Sequence, residues 1–377
     1  MSKKFNICLI EPVFHNAFNT PSSNLENVLF KVSNNFYNIK CTSDDLDIAR
    51  NSKYKEYIIT HKESSNSFLR ILRYISLQIK MSFRLINLRK KIDICIFFNE
   101  SSFILPMIIS KLLGKKVLWQ LPSSLKKTLY YNDNSFSFFL NLMQNLSYNL
   151  VDNIILYSPN LIHEWELEKY KNKVLIAHEH IIDPAEFKIM KDYDKRDCLI
   201  GYVGRLSKEK GIFNFVKSIK IMLEKEKNVK YLIIGSGELE NSIKNYLNEN
   251  KLNRNVKMIN WVPHNELPSY FNELKLLVIP SYTEGLPNVM LESMACGTPV
   301  LATQVGSIPD IIADQETGFI LKENSVECIS NNIEKVLSFS KLNKVSENTC
   351  KFVKSEFNEN ITSKKWLNIF QGELNDE

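Results

Sequence analysis

A chain of 377 residues is too long for one ordinary core, so its length predicts two domains, and a hydrophobic content of 44% supplies both. The formal net charge of +6 is too modest for the basic footprint of a nucleic-acid binder, and no apolar run reaches the ~18 residues of a membrane-spanning helix. Seven cysteines, odd in number and without a C-x-x-C pair, argue for a reducing compartment and against a disulfide framework or a zinc site.

In chain order, MSKKFNICLIEP has two lysines and a short apolar run closed by Glu11 and Pro12, which reads as a first strand and not as a signal peptide. Next, EPVFHNAFNTPSSNLENVLF places His15 in a loop and sets Ser23 and Glu26 in a capping-box pattern that starts a helix. Asp45-Leu46-Asp47 reads as a solvated turn, as does Asp192-Tyr193-Asp194. Residues 64–91 hold seven Arg or Lys and no acid. Within them FLRILRYISLQIKMSFRLINL (68–88) has a helical period. Arg70, Arg73, Lys80 and Arg84 share an arc of about 80°. Ile71, Leu72, Ile75, Ile79, Phe83 and Ile86 cover the opposite face, expected to be committed to the domain core. Contact of this helix with an anionic membrane would then run through charge.

Apolar strands are expected at 5–10, 57–60, 93–98, 116–121, 153–158 and 173–178, and in a second series at 198–203, 230–235, 256–260, 275–280, 298–303 and 318–322. Such runs, alternating with helical patterns, predict parallel sheets covered on both faces; two series predict two doubly wound α/β domains. The polar stretch PAEFKIMKDYDKRD (184–197) reads as the linker. KVLWQLPSS puts Gln120 near a strand end, and AHEHIID sets His178 and His180 on one side of an extended segment. Two histidines with no third ligand nearby make a cleft-lining or structural role the expectation, ahead of metal.

Of eleven glycines, nine lie between 201 and 318, so close backbone approach to a ligand is expected in the second domain. Three stretches there carry chemistry. In GYVGRLSKEKGI (201–212) a strand ends at Gly204, and Arg205 and Lys210 follow in a loop, a fork and a point charge suited to a diphosphate. Lys208 reads as surface. In IIGSGELEN (233–241) a glycine turn around Gly237 leads into a helix. In TEGLPNVMLESMACGTPVLAT (283–303), Pro287 and Gly297 bracket a helix at about 287–296. Glu284 precedes that helix, Glu292 lies on it, and N–H groups at 286–289 would face a negative ligand. Two glutamates at this spacing are, by themselves, more often plain surface.

Taken together, Gly204-Arg205, Glu209-Lys210-Gly211, the E-x7-E of EGLPNVMLE, then GTPVLAT, VGSIPDII and TGFIL resemble the retaining glycosyltransferases of family 4, over about 200–321. The resemblance implies a GT-B fold of two Rossmann-like doubly wound domains facing a central cleft. Residues 1–190 would be the acceptor domain and 195–355 the donor domain, with 356–377 holding a C-terminal helix that crosses back to the first. It implies that Arg205 and Lys210 hold a donor diphosphate, that Glu292 binds ribose hydroxyls and that Glu284 sits beside the donor sugar. Gly204, Gly237 and the backbone at Leu286, Asn288 and Val289 would complete donor binding, without metal or cofactor.

The first domain departs from the family pattern. It lacks the Gly-Gly loop after the first strand, has Gln120 where a His is frequent, and has His180-Ile181 where Asn-Gly is common. His15, Ser23, Gln120 and His180 are the candidates for acceptor or cleft contact. The expected partners are a nucleotide diphosphate sugar, UDP-linked by preference with GDP as the other candidate, and a saccharide or polyprenyl-diphosphate-linked acceptor. An Asn-, Lys- and Ile-rich composition suits bacterial surface-polysaccharide synthesis, expected in the cytoplasm or at the inner face of its membrane. A same-fold epimerase or phosphorylase, and a non-catalytic donor-binding subunit, are the alternatives.

Overall fold

A computed structural model describes residues 5–12, 20–42, 53–60, 67–98, 103–124, 137–225 and 228–372. It divides into two compact units, one of residues 1–180 with 359–377 and one of residues 181–358.

The first unit carries β1 (Ile7–Pro12), α1 (Thr20–Val32), β2 (Phe36–Thr42), β3 (Tyr54–Thr60), α2 (Ser67–Leu88), β4 (Ile94–Phe98), α3 (Ile104–Leu112), β5 (Lys116–Gln120), α4 (Ser137–Leu150), β6 (Asn153–Leu156), α5 (Asn160–Glu164) and β7 (Val174–Ile176). Its strands form a parallel sheet of order β3-β2-β1-β4-β5-β6-β7. The order reverses beside β1, which makes β1/β4 the topological switch point. Every residue of β4 is buried, as a strand covered on both faces requires.

Three expectations for this unit are corrected. The strand β2 was not anticipated, because Asn38 and Lys40 interrupt its apolar pattern. Both are held internally: Asn38 Nδ2 donates to Glu11 Oε1 at 2.8 Å, and Lys40 Nζ lies 2.8 Å from both Glu26 and Glu56. The helix α1 begins at Thr20, with Pro21 in its first turn, so Ser23 is an exposed residue inside the helix and not its cap. Glu26 reaches the Lys40 ammonium and accepts from Tyr54 at 3.0 Å.

The third correction concerns α2. The helix is present, but the face turned inward is Leu77, Met81, Leu85 and Leu88. Ile71, Leu72, Ile75, Ile79 and Phe83, expected in the core, are exposed. The sheet accepts one stripe of a helix, and the narrower stripe at 77, 81, 85 and 88 already fills that contact.

The second unit carries β8 (Leu199–Val203), α6 (Ile212–Lys225), β9 (Lys230–Ile234), α7 (Glu240–Glu249), β10 (Val256–Ile259), α8 (Leu267–Glu273), β11 (Leu276–Ile279), α9 (Asn288–Ala295), β12 (Val300–Thr303), α10 (Ile308–Ile311), β13 (Phe319–Leu321), α11 (Val326–Leu337) and α12 (Leu342–Glu356). The sheet order is β10-β9-β8-β11-β12-β13, again parallel, with its switch point between β8 and β11. The stretch 184–197 is not a loose linker. Phe187, Tyr193 and Arg196 are buried in this unit. The Arg196 guanidinium donates to Leu274 O at 3.1 Å, Cys296 O at 2.8 Å and Thr298 Oγ1 at 2.7 Å. These bonds offset the cost of burying it. Asp192 and Asp194 stand exposed on its surface.

The final helix, α13 (Glu359–Gln371), belongs to the first unit. Its buried Trp366 donates to His178 O at 3.1 Å, and Thr362 donates to His180 O at 3.3 Å.

Candidate functional site

Arg205, Lys210 and Glu284 lie in the loops that follow the carboxyl ends of β8 and β11. Two loops meet beside the switch point: 204–211 after β8, and 280–287 after β11. Tyr202 OH donates to Arg205 O at 2.6 Å and anchors the first loop to its strand. The Tyr282 N–H donates to Glu209 O at 2.8 Å and ties the second loop to the first. Gly211 closes the first loop with φ +63°, and a Cβ there would collide with Pro280 O. Only glycine meets both demands at low cost.

This stitching brings Lys210 and Glu284 together. Lys210 Nζ lies 2.8 and 2.9 Å from the two carboxylate oxygens of Glu284, and Ser281 Oγ donates to the same carboxylate at 2.6 Å. The pair is partly covered, with side-chain exposures of 23% and 8%. An ammonium has three donors, so the Lys210 head can hold Glu284 and also face an anion. Arg205 is not in that cluster. Its guanidinium lies 3.1 Å from Glu209 Oε1 and is 62% exposed, so it has donors left for an incoming group. Lys208 is exposed.

The helix α9 starts at Asn288 with Pro287 as its N-cap, and no side chain caps it. Its first N–H groups, at Asn288 and Val289, come at the positive end of the helix dipole. Leu286 is buried beneath this turn, while Asn288 and Val289 are half-buried. Glu292 is buried on the same helix and accepts from His264 Nε2 at 2.9 Å in the protonated state. The hydrogen bond to Glu292, ahead of the attraction of Glu292 and Glu186, holds the His264 pKa above its ordinary value against the opposing effect of partial burial. Phe187 packs against the His264 ring at 5.3 Å between centroids. His264 escaped the sequence reading. Its signal was its place in WVPHNELP, just past the end of β10, where side chains face a ligand.

The glycines proposed for ligand approach also have a simpler duty. A Cβ on Gly237 would come within 2.6 Å of Leu206 O, and one on Gly235 would collide with Gly204 O. Leu206 N donates to Ser236 O, and Leu239 N to Leu206 O, each at 2.9 Å. The turns after β8 and β9 are therefore packed backbone to backbone, and Gly235 and Gly237 permit that packing, whereas a Cβ on Gly204 would meet only the Tyr202 side chain, at 3.3 Å.

The candidates of the first unit have a different setting. Gln120 is buried, and its Nε2 donates to Glu179 Oε2 at 2.6 Å. Tyr157 OH donates to the other oxygen of Glu179 at 2.7 Å. His180 is buried, edge-on to Tyr157 at 5.0 Å and to His178 at 5.8 Å between ring centroids. Burial raises the Glu179 carboxyl to about 7 and pushes His178 well below its usual value. Glu179 was not anticipated, although it is flanked by the two histidines that were. Ser23 is exposed on α1. His15, Asp45 and Asp47 lie outside the described residues. Among the described residues no group of three or more His, Cys, Asp or Glu side chains is arranged to hold a metal ion.

Residues 185–351 match the family described as Glycosyl transferases group 1. The capsular polysaccharide biosynthesis glycosyltransferase CapM of Staphylococcus aureus is 33% identical over 59% of this chain and 62% of its own length. The UDP-Gal:alpha-D-GlcNAc-diphosphoundecaprenol alpha-1,3-galactosyltransferase of Escherichia coli is 26% identical over 41% of each chain. The alignments thus span less than two thirds of either relative. Among solved structures, Anabaena HepE in complex with UDP and glucose superposes on 97% of this chain and 99% of its own, with a TM-score of 0.73 at 13% identity. That likeness shows the GT-B fold. The match to the group 1 glycosyl transferases covers nearly all of the second unit.

Proposed function

We propose that this chain is a glycosyltransferase that moves a hexose or N-acetylhexosamine from a nucleotide diphosphate sugar to a saccharide acceptor with retention of configuration. The observation that carries the reading is the Lys210–Glu284 contact, with Arg205 on the same loop and the uncapped start of α9 following Glu284. Two cations and a helix N-terminus at one end of a parallel sheet suit a diphosphate, which supports the reading. The match of residues 185–351 to the group 1 glycosyl transferases supports the same assignment.

In this mechanism Arg205 and Lys210 neutralise the charge that grows on the departing diphosphate. Glu284, held by Lys210 and Ser281, contacts the donor sugar, and Glu292, steadied by His264, accepts from the ribose hydroxyls. The bond from the anomeric carbon to the diphosphate oxygen breaks as a bond to the acceptor oxygen forms on the same face. The acceptor proton passes to the leaving diphosphate, so no side chain need act as base. A UDP-sugar is the favoured donor, since HepE was solved with UDP and the Escherichia coli relative is named for UDP-Gal. A GDP-sugar is the other candidate. The same relative is named for a diphosphoundecaprenol-linked acceptor, and CapM for capsular polysaccharide. These names favour a lipid-linked saccharide in surface-polysaccharide synthesis, which would place the reaction at the inner face of the cytoplasmic membrane.

A screen of UDP-, GDP-, ADP- and dTDP-sugars by thermal shift identifies the base, because a ligand of the folded state raises Tm by mass action. With that donor, Lys210→Ala and Arg205→Ala should each lower the transfer rate by on the order of 100-fold, the usual cost of losing a group that acts in the transition state. Rates within a few-fold of wild type in folded variants would remove the diphosphate role.

A further inference from the structure

The outward face of α2 carries an exposed apolar stripe. Leu72, Ile75, Ile79 and Phe83 recur at spacings of three and four, and Phe83 is 64% exposed. Single exposed apolar residues are ordinary, but four on one stripe form a patch that water disfavours. Lys80, Arg73 and Arg84 follow on one flank of that stripe. No acid occurs from 64 to 91, so nothing within the helix neutralises that flank. Beside it, a shallow groove of about 370 Å³ runs between α2 and the end of β3, with Lys80 and Arg84 as its cations and Phe83 and Ile58 on its apolar wall. The Arg84 guanidinium lies 4.4 Å from the Tyr57 ring, which fixes its position.

We infer that α2 lies in the headgroup region of an anionic lipid bilayer, with Leu72, Ile75, Ile79 and Phe83 inserted and Lys80, Arg73 and Arg84 on lipid phosphates. An apolar stripe with a basic border is the pattern of a helix lying in the membrane plane. The groove accepts a phosphate between Lys80 and Arg84 while Phe83 meets the acyl chains. A second copy of the chain fits this face less well: antiparallel two-fold pairing would bring two basic borders together, and in either orientation α2 offers no acid to pair with them. Charge alone is not the basis of the contact, because the apolar stripe is free of the protein core. The inference does not rest on the donor site, and failure of either reading leaves the other intact.

The test uses the full chain and sedimentation with vesicles of phosphatidylglycerol and phosphatidylcholine, against phosphatidylcholine alone. Wild type should bind the anionic vesicles and keep part of that binding at 0.5 M salt. The double variant Ile79→Asp/Phe83→Asp should lower binding at least tenfold, and the neutral pair Ile79→Ser/Phe83→Ser should also lower it, both with an unchanged Tm because these sites are exposed. Arg73→Ser/Lys80→Ser/Arg84→Ser should remove the preference for anionic lipid. In Phe83→Trp, brominated acyl chains should quench fluorescence beyond the wild-type level. Absence of vesicle binding by wild type, no loss in either double variant, no added quenching, or a wild-type dimer that Ile79→Asp/Phe83→Asp dissociates would each overturn the inference.

Discussion

The two units have the same kind of sheet and treat the carboxylates at its strand ends in opposite ways. In the second unit Glu284 faces the Lys210 ammonium, and Glu292 faces the His264 ring, whose affinity for a proton it raises. In the first, Glu179 is fully buried against two neutral donors, Gln120 and Tyr157. Glu11 is fully buried against Asn38, with Lys40 only at 3.9 Å. Burial raises Glu179 to about 7 and Glu11 to about 8. The difference teaches where a ligand can compete. A partly exposed ion pair can exchange one partner for an incoming anion at small cost. A buried carboxyl inside a closed network cannot be approached without breaking several bonds at once.

The largest effect expected from breaking this contrast lies in the second unit. Gly211→Ala introduces a Cβ against Pro280 O at a φ of +63°. It should cost on the order of 3 kcal/mol of stability in denaturant unfolding and release Lys210 from Glu284. A loss below about 1 kcal/mol would show that the two loops are not stitched as described.

The next effect is in the first unit. The folded-state pKa of Glu179 lies above its usual 4.5, so the carboxyl destabilises the fold increasingly as pH rises from 4.5 through about 7. Glu179→Gln should therefore stabilise the protein at pH 8 by on the order of 2 kcal/mol and change little at pH 4. Gln120 can turn its amide to meet the new residue. Urea unfolding at both pH values checks this, and equal effects at the two would refute the burial account.

The smallest effect is at His264. Its pKa is raised, chiefly by the hydrogen bond to Glu292, so its contribution is full below 6.5 and fades as pH rises through the higher folded value. The ring is half exposed, which holds the contribution under about 1 kcal/mol. His264→Ala should lower Tm by roughly 1–3 °C at pH 6 and by less at pH 9. The same variant should weaken nucleotide binding if Glu292 needs the ring to hold its position.

Sequence alone gave most of this architecture, and its failures have physical causes. Continuous apolar runs betrayed twelve strands, but β2 was hidden because Asn38 and Lys40 satisfy buried acids instead of pointing to water. Arg205 and Lys210 stood out because they follow a strand that ends in glycine, whereas Glu284 and Glu292, plain surface by spacing alone, were singled out only through the family resemblance. His264 was missed, since its partner Glu292 lies 28 residues further along. Periodicity found α2 but took the wider of its two apolar stripes for the buried one. Leu77, Met81, Leu85 and Leu88 form the smaller stripe, and they are the buried one.

The chain passes from the first unit to the second at 180/181 and returns at 358/359. The second unit is thus a contiguous insertion, while the first is assembled from both ends of the sequence. Trp366, supplied by the returning segment, completes the first unit by bonding to His178 O. In genetic terms the second unit is a cassette: one uninterrupted stretch can be exchanged between relatives at two joints. The first unit has no such freedom, because any transplant must carry two distant segments of the gene that have to change together.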